Sequence, residues 1–198
     1  MKRNVQYLTQ AAVIAAAYVV LTLPFAQLAF GMIQFRLAEA LTVLAALTPA
    51  AVPGLFIGCL LTNILYPSGL GIIDIVFGSL ATLIAAWSTW RLQQYFVKQQ
   101  NHPSAVTTVS NRSINTPRTE WIRKIIVLLP AAVINAIVVG FYLPFLIPGT
   151  VATPWVVAGF MISIFISECV VIYLIGLPML LALRKTRFGV RDDIRKEV

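Results

Sequence analysis

The stretch Leu47-Thr48-Pro49-Ala50-Ala51-Val52-Pro53-Gly54 interrupts an apolar block that runs from residue 37 to residue 66. Proline lacks the backbone N–H that a helix interior requires, and a Pro-Gly pair is typical of a turn. About 20 apolar residues are enough to cross a bilayer as a helix, so this block is too long for one straight crossing. We expect either two short helices, one on each side of the interruption, or a re-entrant loop over 37–66.

The composition places the whole chain in a membrane. Of its 198 residues, 59% are hydrophobic and only 11% are charged, whereas soluble domains carry about 25% charged residues. The net charge of +8 is concentrated in segments that flank the apolar blocks, which indicates membrane topology and not nucleic-acid binding. Cys59 and Cys169 have no Cys or His at ligand spacing. We therefore expect no metal site and interpret both cysteines as small apolar fillers.

The apolar blocks predict an all-α membrane bundle of six transmembrane helices in a single domain, residues 1–198. The helices are predicted at approximately 8–30, 36–48, 53–66, 72–96, 121–147 and 155–184, with a mobile cytoplasmic loop at 97–120 and a basic cytoplasmic tail at 185–198. Nearly all basic residues lie at the N-terminus, in the region 91–124, or from residue 184 onward. The positive-inside rule puts all three regions, and so both termini, in the cytoplasm. An even number of crossings must then precede Arg91, which both the six-helix and the re-entrant arrangement satisfy.

Polar side chains inside the apolar blocks are costly unless they are paired or face a cavity. Three acidic residues occupy such positions, Glu39, Asp74 and Glu168, and Arg36 precedes Glu39 by three residues. No cation lies near Glu168 in the sequence, which favours a functional role for this side chain. The candidate substrate-binding residues are Gln34, Arg36, Glu39, Asn63, Asp74, Asn135 and Glu168. The candidate aromatic walls of a pocket are Phe25, Phe30, Phe35, Tyr66, Phe141, Tyr142 and Trp155.

Several of these candidates also have a purely structural interpretation. Arg36 and Glu39 are spaced to pair with each other on one helix face. Asp74 lies close to a predicted helix start and is a good capping residue. Asn63 and Asn135 are able to hydrogen-bond between helices without contacting a ligand.

The first helix contains two overlapping pairs of small residues, Ala11 with Ala15 and Ala12 with Ala16. Such spacing allows another helix to approach closely, either within the bundle or from a partner. The chain lacks the G-x-x-x-x-G-K-[ST] phosphate loop, so we do not expect it to hydrolyse ATP by that route. No histidine and only one aspartate lie in the apolar blocks, which argues against an intramembrane protease. The sequence therefore predicts a protein that is not an enzyme.

Three ordered motifs carry a family resemblance. They are Ile33-Gln34-Phe35-Arg36-Leu37-Ala38-Glu39-Ala40-Leu41, then Leu47-Thr48-Pro49-Ala50-Ala51-Val52-Pro53-Gly54-Leu55, then Asp74-Ile75-Val76-Phe77-Gly78-Ser79-Leu80-Ala81-Thr82. Together they resemble the QueT family of energy-coupling-factor transporter S components, over nearly the whole chain. The polar segment 97–120 departs from the family pattern by its length.

The resemblance implies a six-helix substrate-binding subunit in the bacterial cytoplasmic membrane. Such a subunit captures a queuosine precursor, a 7-deazaguanine such as 7-aminomethyl-7-deazaguanine, from outside the cell. It docks on a transmembrane coupling protein that carries two cytoplasmic ATPases, so the chain needs no cofactor of its own. In this class an alanine-rich first helix contacts the coupling protein, which makes Ala12 and Ala16 the candidate docking residues.

The resemblance also suggests a division of roles in the site. Glu39 and Glu168 are predicted to supply carboxylates to the ligand, and Asp74 to support them. The neutral hydrogen bonds are assigned to Gln34, Asn63 and Asn135. One alternative is a self-sufficient secondary transporter for another metabolite, with Glu39, Asp74 or Glu168 as a proton or ion site. An intramembrane enzyme is disfavoured, because nothing resembles a nucleophile with its base.

Overall fold

The computed structural model describes residues 2–26, 35–66, 71–101 and 117–184, and all regular structure within these ranges is helical. Helix α1 (Lys2–Thr22) ends in a 3-10 turn (Leu23–Phe25), and a 3-10 helix covers Leu37–Ala46. The other helices are α2 (Ala51–Leu65), α3 (Gly71–Asn101), α4 (Pro117–Leu146), α5 (Pro154–Val170) and α6 (Leu177–Arg184). A π-helical segment, Val171–Gly176, joins α5 to α6.

Four helical segments of the described chain are long and apolar enough to cross a membrane. They are Asn4–Phe25, Gly71–Gln99, Glu120–Leu146 and Pro154–Leu183. The 3-10 helix has 10 residues and α2 has 15, which correspond to roughly 20 Å each at the rise of these helix types. The hydrocarbon core is about 30 Å thick. The chain is thus a multi-pass membrane protein, and the six predicted crossings and the position of the termini stay predictions.

The predicted interruption of the second apolar block is present. The N–H groups of Leu47 and Thr48 both donate to the carbonyl of Leu44, at 2.9 Å each, and α2 begins at Ala51. Pro53 lies in the first turn of α2, where the missing N–H removes no bond within the helix. The prolines therefore end one helix and allow the next to begin.

Several helix boundaries differ from the predicted ones. Helix α1 begins at Lys2 instead of residue 8, and α3 continues to Asn101, beyond the predicted end at residue 96. The segment after residue 91 is rich in Gln, which is a good helix former although it is polar. Helix α4 begins at Pro117, and proline is favoured in a first helical turn. The predicted loop 97–120 is thus shortened at both ends, and its middle and the tail 185–198 lie outside the described residues.

The 3-10 helix Leu37–Ala46 is the buried centre of the fold, and its tighter helix type differs from the α-helix expected at 36–48. Its residues Ala38, Val43 and Ala45 are fully buried, and it packs against α1, α3 and the π-helical segment. A Cβ atom on Gly176 would lie 2.6 Å from Val43 Cγ1 and 2.9 Å from the Ala40 carbonyl oxygen. The absence of a side chain at Gly176 therefore allows the two unusual helical segments to touch.

The π-helical segment immediately precedes Pro178. In an α-helix this proline would leave the carbonyl of residue 174 without a donor and its ring would crowd that carbonyl. The π-helical segment, which is wider than an α-helix, ends with a hydrogen bond from the Leu177 N–H to the Ile172 carbonyl. Insertions of this kind are frequent at functional sites, and this one begins three residues after Glu168.

Helices α1 and α2 pack through small residues on both sides. Ala11 and Ala15 are buried, and the backbone carbonyls of these two residues approach Gly54 and Gly58 of α2. A Cβ atom at Gly54 would lie 2.7 Å from the Ala11 oxygen, and one at Gly58 would lie 3.0 Å from the Ala15 oxygen. One of the two predicted small-residue pairs thus serves internal packing.

We expect Gly140→Ala to destabilise the α4–α5 contact by about 1–3 kcal/mol, the usual cost of overpacking. A Cβ atom at this position would lie 2.7 Å from Met161 Cα, a backbone atom that does not yield easily. The measurement is thermal unfolding in detergent, followed by tryptophan fluorescence.

Gly159→Ala is the matched control on the facing helix. Nothing lies within 4 Å of a Cβ atom there, so this change should be neutral or stabilise the helix by up to about 1 kcal/mol. Equal unfolding temperatures for the two variants would contradict the tight packing at Gly140.

Candidate functional site

The structure brings six of the seven predicted site residues into the interior. All six side chains are at least nine-tenths buried: Arg36, Glu39, Asn63, Asp74, Asn135 and Glu168. The seventh, Gln34, lies outside the described residues. Apart from Arg36 and Glu39, which are three residues apart, the six come from separate parts of the chain and meet only through the fold.

Arg36 and Asp74 form a buried ion pair, with Nη2 and Oδ1 separated by 3.6 Å. The Tyr142 hydroxyl donates to the same Asp74 oxygen at 2.6 Å, and the Asn63 side-chain amide donates to the Asp74 backbone carbonyl at 3.2 Å. Asp74 lies in the first turn of α3, but its carboxylate faces α4 and Arg36. The capping interpretation of Asp74 is therefore replaced by a tertiary one, and Arg36 and Asp74 belong to a structural network.

Glu39 is fully buried and held by neighbours on two helices. Its Oε1 atom accepts a hydrogen bond from the Tyr18 hydroxyl at 2.7 Å. The Thr82 hydroxyl lies 3.4 Å from the same oxygen, but its single hydrogen has a closer acceptor in the Gly78 carbonyl at 3.2 Å. Within the described chain, its Oε2 atom has no hydrogen-bond partner. Tyr18 thus holds one oxygen of the carboxyl group, and the other has no donor among the described residues.

Glu168 and Asn135 form the third polar group, on α5 and α4. The Asn135 amide nitrogen donates to Glu168 Oε1 at 3.3 Å. Two acceptor atoms of this pair, Glu168 Oε2 and Asn135 Oδ1, are buried with no hydrogen-bond partner among the described residues. Glu168 interacts electrostatically with Glu39, and Asn135 also interacts with Glu39. The Glu39 group and the Glu168–Asn135 pair therefore form one site.

Cys59 packs in a hydrophobic cluster with Leu55 and Ala86, as an apolar filler does, and its thiol also lies beside the polar groups. Its Sγ atom lies 3.4 Å from Thr82 Oγ1, and it is within weak hydrogen-bond distance of Asn63 Nδ2 at 3.8 Å and of an Arg36 guanidinium nitrogen at 4.0 Å. The thiol is fully buried. Its small polarizable sulfur joins the Asp74 network to the Glu39 group.

Sequence reasoning missed Tyr18 and Thr82. Thr82 follows Asp74 and Gly78 at intervals of four residues, so the three lie on one face of α3. Tyr18 likewise continues the buried stripe of Ala11 and Ala15 on α1. In both cases the sequence signal was a polar residue at the end of a row of small residues spaced along one helix face.

Most of the predicted aromatic walls do not line the site. Phe25, Phe141 and Trp155 are exposed, Trp155 to 87%, as expected for side chains that face lipid. Tyr142 is the exception, since it binds Asp74. Phe35 and Tyr66 are partly buried, and Phe30 lies outside the described residues.

The buried charges do not balance. Within the described residues, Arg36 is the only buried basic side chain, and it faces three buried carboxyl groups. Arg36 is paired with Asp74 and also interacts electrostatically with Glu39 and Glu168, so in this part of the chain one cation serves three carboxyl groups. Unbalanced buried charge is strongly unfavourable, so the site is suited to a ligand that carries positive charge or several N–H donors. The described residues contain no cluster of metal-ligating side chains.

A family model described as QueT transporter matches residues 8–185. The chain belongs to the QueT transporter family. Comparison with curated proteins and with solved structures gives no match. The resemblance seen in the three motifs is thus confirmed for the family, and a QueT family member with four membrane-length helices is a transport protein of the membrane.

The second small-residue pair of α1 differs from the first. Ala12 and Ala16 are exposed, whereas Ala11 and Ala15 are buried against α2. The predicted docking residues therefore lie on a surface that the fold leaves open.

Proposed function

We propose that this QueT protein is the substrate-binding S component of an energy-coupling-factor importer and that its ligand is a 7-deazaguanine such as 7-aminomethyl-7-deazaguanine. The observation that carries the proposal is the set of buried acceptor atoms without donors among the described residues, Glu39 Oε2, Glu168 Oε2 and Asn135 Oδ1. Native proteins rarely leave such atoms unsatisfied unless a ligand, water or strain explains them.

The ligand chemistry complements these acceptors. A 7-deazaguanine presents the adjacent N1–H and amino donors of its guanine-like edge, and the aminomethyl group adds an ammonium. Carboxylates accept such charged or paired donors strongly. The network of Arg36, Asp74, Asn63 and Tyr142 is assigned a supporting role, since its members bind one another.

The test is calorimetric titration of the purified chain in detergent with 7-aminomethyl-7-deazaguanine, with guanine and riboflavin as controls. Tight binding of the 7-deazaguanine, with weaker binding of guanine and none of riboflavin, is the expected result. A folded sample that binds none of the three would overturn the ligand assignment.

Six crossings with both termini in the cytoplasm remain the proposed topology. Its support is the basic and aromatic region at the end of α3 and the start of α4. Arg91 lies over the Trp87 ring at 5.4 Å and Lys124 over the Trp121 ring at 5.0 Å, an arrangement suited to a membrane interface. Trp90, in contrast, packs against the hydrophobic core.

The proposed partners are a transmembrane coupling protein and two cytoplasmic ATPases, which would use the ATP. The exposed positions of Ala12 and Ala16 support α1 as the docking helix, because small exposed residues allow a partner helix to approach closely.

We expect Ala16→Trp to reduce copurification of this chain with its coupling protein by about tenfold or more, while its unfolding temperature and ligand affinity stay near the wild-type values. A large ring on the exposed face would keep the partner helix away from the small residues that allow close approach. Ile162→Trp, on an exposed position of α5, is the matched control and should copurify normally. Equal copurification of both variants would exclude docking through this face.

The alternative of a self-sufficient secondary transporter rests on the same carboxyl groups, because protons could supply the missing positive charge. Vesicles that contain this chain alone distinguish the two functions. Uptake driven by an ion gradient and independent of ATP would favour the secondary transporter. Uptake that requires the coupling protein and ATP supports the S component.

A further inference from the structure

We propose that Glu39 and Glu168 hold protons before the ligand binds, and that a ligand with a single positive charge displaces one of these protons into the solvent. The inference rests on the proposed function, because it concerns a cationic ligand bound at this site. It treats the two glutamates alike. It follows from the charges that the chain places in its interior and from the buried acceptor atoms that lack donors.

The apolar part of the chain contains a single cation. Arg36 is the only basic residue between Arg3 and Arg91, and no Lys, Arg or His occurs between Lys124 and Arg184. This count covers the entire sequence of the apolar blocks and of the short segments that join them. These parts of the chain therefore supply no second cation to the buried carboxyl groups.

Three carboxyl groups share this cation. Arg36 lies 3.6 Å from Asp74, and it also interacts electrostatically with both glutamates. The other titratable side chains that face these groups from α1, α2, α4 and α5 are tyrosines and cysteines, which are ordinarily neutral at pH 7: Tyr18, Cys59, Tyr142 and Cys169. In the π-helical segment, Tyr173 donates to a backbone carbonyl of α4. None of these side chains balances a carboxylate.

The charge balance determines how many protons the site holds. Three carboxylates and one guanidinium leave an excess of two negative charges among the buried side chains of the described chain. Uncompensated buried charge is strongly unfavourable, and neighbouring carboxyl groups retain protons for this reason. Protons on Glu39 and Glu168 make the site neutral before binding. A bound monocation replaces the charge of one proton, so neutrality then requires only the other.

The hydrogen bonds of the site also require a donor. Glu39 Oε2, Glu168 Oε2 and Asn135 Oδ1 are acceptors when both glutamates are ionised, and none of them has a partner within the described ranges. The Asn135 amide nitrogen donates to Glu168 Oε1 at 3.3 Å, and the same side chain interacts with Glu39. A protonated carboxyl group carries an O–H donor. A proton on either glutamate therefore supplies a donor to a group of unpartnered acceptors.

The exchange is a proton transfer to the solvent. The O–H bond of one glutamate breaks, its electron pair stays on the carboxylate oxygen, and the buffer takes up the proton as the ammonium enters. An alkylammonium titrates near pH 10, as lysine does, so the ligand keeps its own proton at neutral pH. The net charge of the site is the same before and after the exchange.

The affinity for the cationic ligand should depend on pH. Protons and the ligand compete for the glutamates, so a lower pH favours the ligand-free chain and weakens binding. Where one full proton is released, the affinity should rise by about tenfold for each pH unit. A ligand of the same shape without charge displaces no proton, so its affinity should not change over the same pH range.

The test is calorimetric titration of the full chain in detergent with 7-aminomethyl-7-deazaguanine and with its uncharged 7-ethyl analogue. Each titration is carried out at about pH 6.5, where the amine is charged, in two buffers that differ in their enthalpy of ionisation. The difference between the two observed binding enthalpies gives the number of protons released. The expected result is about one proton for the amine and none for the 7-ethyl analogue.

Infrared difference spectra of the wild-type chain identify the group that loses the proton. A protonated carboxyl group has a C=O stretching band that a carboxylate lacks. Binding of the amine should decrease this band, and binding of the 7-ethyl analogue should leave it unchanged. The double variant Glu39→Gln/Glu168→Gln is the matched control. Its ligand-free spectrum should lack the band, so this comparison requires a folded sample but no ligand binding.

Three results would overturn the inference and leave the proposed function in place. The amine binds without releasing a proton, both ligands release the same number, or a proton is released while the carboxyl band persists. The last result would assign the proton to the ammonium. Failure of the folded wild-type chain to bind either ligand would instead overturn the proposed function.

Discussion

Arg36→Met should lower the free energy of unfolding by about 3–5 kcal/mol, the range measured when one partner of a buried ion pair is removed. Asp74 would keep its hydrogen bond from Tyr142 and its place in the bundle, but it would lose the guanidinium 3.6 Å from its carboxylate. Methionine retains much of the length and flexibility of the arginine side chain, so the lost volume is small. Thermal and denaturant unfolding in detergent, monitored by tryptophan fluorescence, is the measurement.

The double variant Arg36→Met/Asp74→Asn is the control for this mechanism. Asparagine removes the uncompensated charge and still accepts a hydrogen bond from Tyr142, so the double variant should be more stable than Arg36→Met alone. If the double variant is no more stable than the single one, the loss comes from packing or from other contacts of Arg36. The ion pair would then have a minor part in stability.

Gly58→Val should disrupt the α1–α2 contact and, through it, the ligand site. A Cβ atom at Gly58 would lie 2.6 Å from Tyr18 Cβ and 3.0 Å from the Ala15 carbonyl oxygen, so the two helices must separate. We expect a loss of about 3 kcal/mol of stability or more, at the upper end of the overpacking range. We also expect a loss of ligand affinity of about tenfold or more, because Tyr18 holds Glu39 and a hydrogen bond to a charged group has about this value.

Gly159→Val measures the intrinsic cost of a β-branched residue in a helix, since nothing lies within 4 Å of a Cβ atom there. It should change stability by less than about 1 kcal/mol and leave ligand affinity unchanged. A Gly58→Val protein that is destabilised but binds the ligand normally would show that the contact between α1 and α2 does not position Glu39.

The helix types were the least predictable part of the fold. The residues of the 3-10 helix Leu37–Ala46 are mostly good α-helix formers, and nothing in their order indicates the tighter form. Its geometry accompanies close packing on the π-helical segment, where Gly176 meets Ala40 and Val43. These two segments lie far apart in the chain, so local propensity does not encode their contact.

The sequence predicted which polar residues are buried, but not which of them contact one another. A buried charge is detectable from sequence, because a charged side chain in an apolar block is too costly to persist without a partner or a cavity. Its partner is not detectable in the same way: Arg36 meets Asp74, and Glu39 meets Tyr18. The spacing of Arg36 and Glu39 suggested a local pair, and the two do interact electrostatically. The fold adds a partner that is distant in sequence to each of them, Asp74 on α3 for Arg36 and Tyr18 on α1 for Glu39.

The sequence by itself determined that this chain is an all-helical membrane protein, where its second apolar block is interrupted, and which polar residues lie in its interior. These properties depend on local composition and on the absence of a proline N–H, which act over a few residues. The tertiary structure decided which carboxyl group is paired, which has oxygens without donors, and which alanines of α1 face the bundle. Those features depend on distances between residues far apart in the chain, and only the packing of the helices sets them.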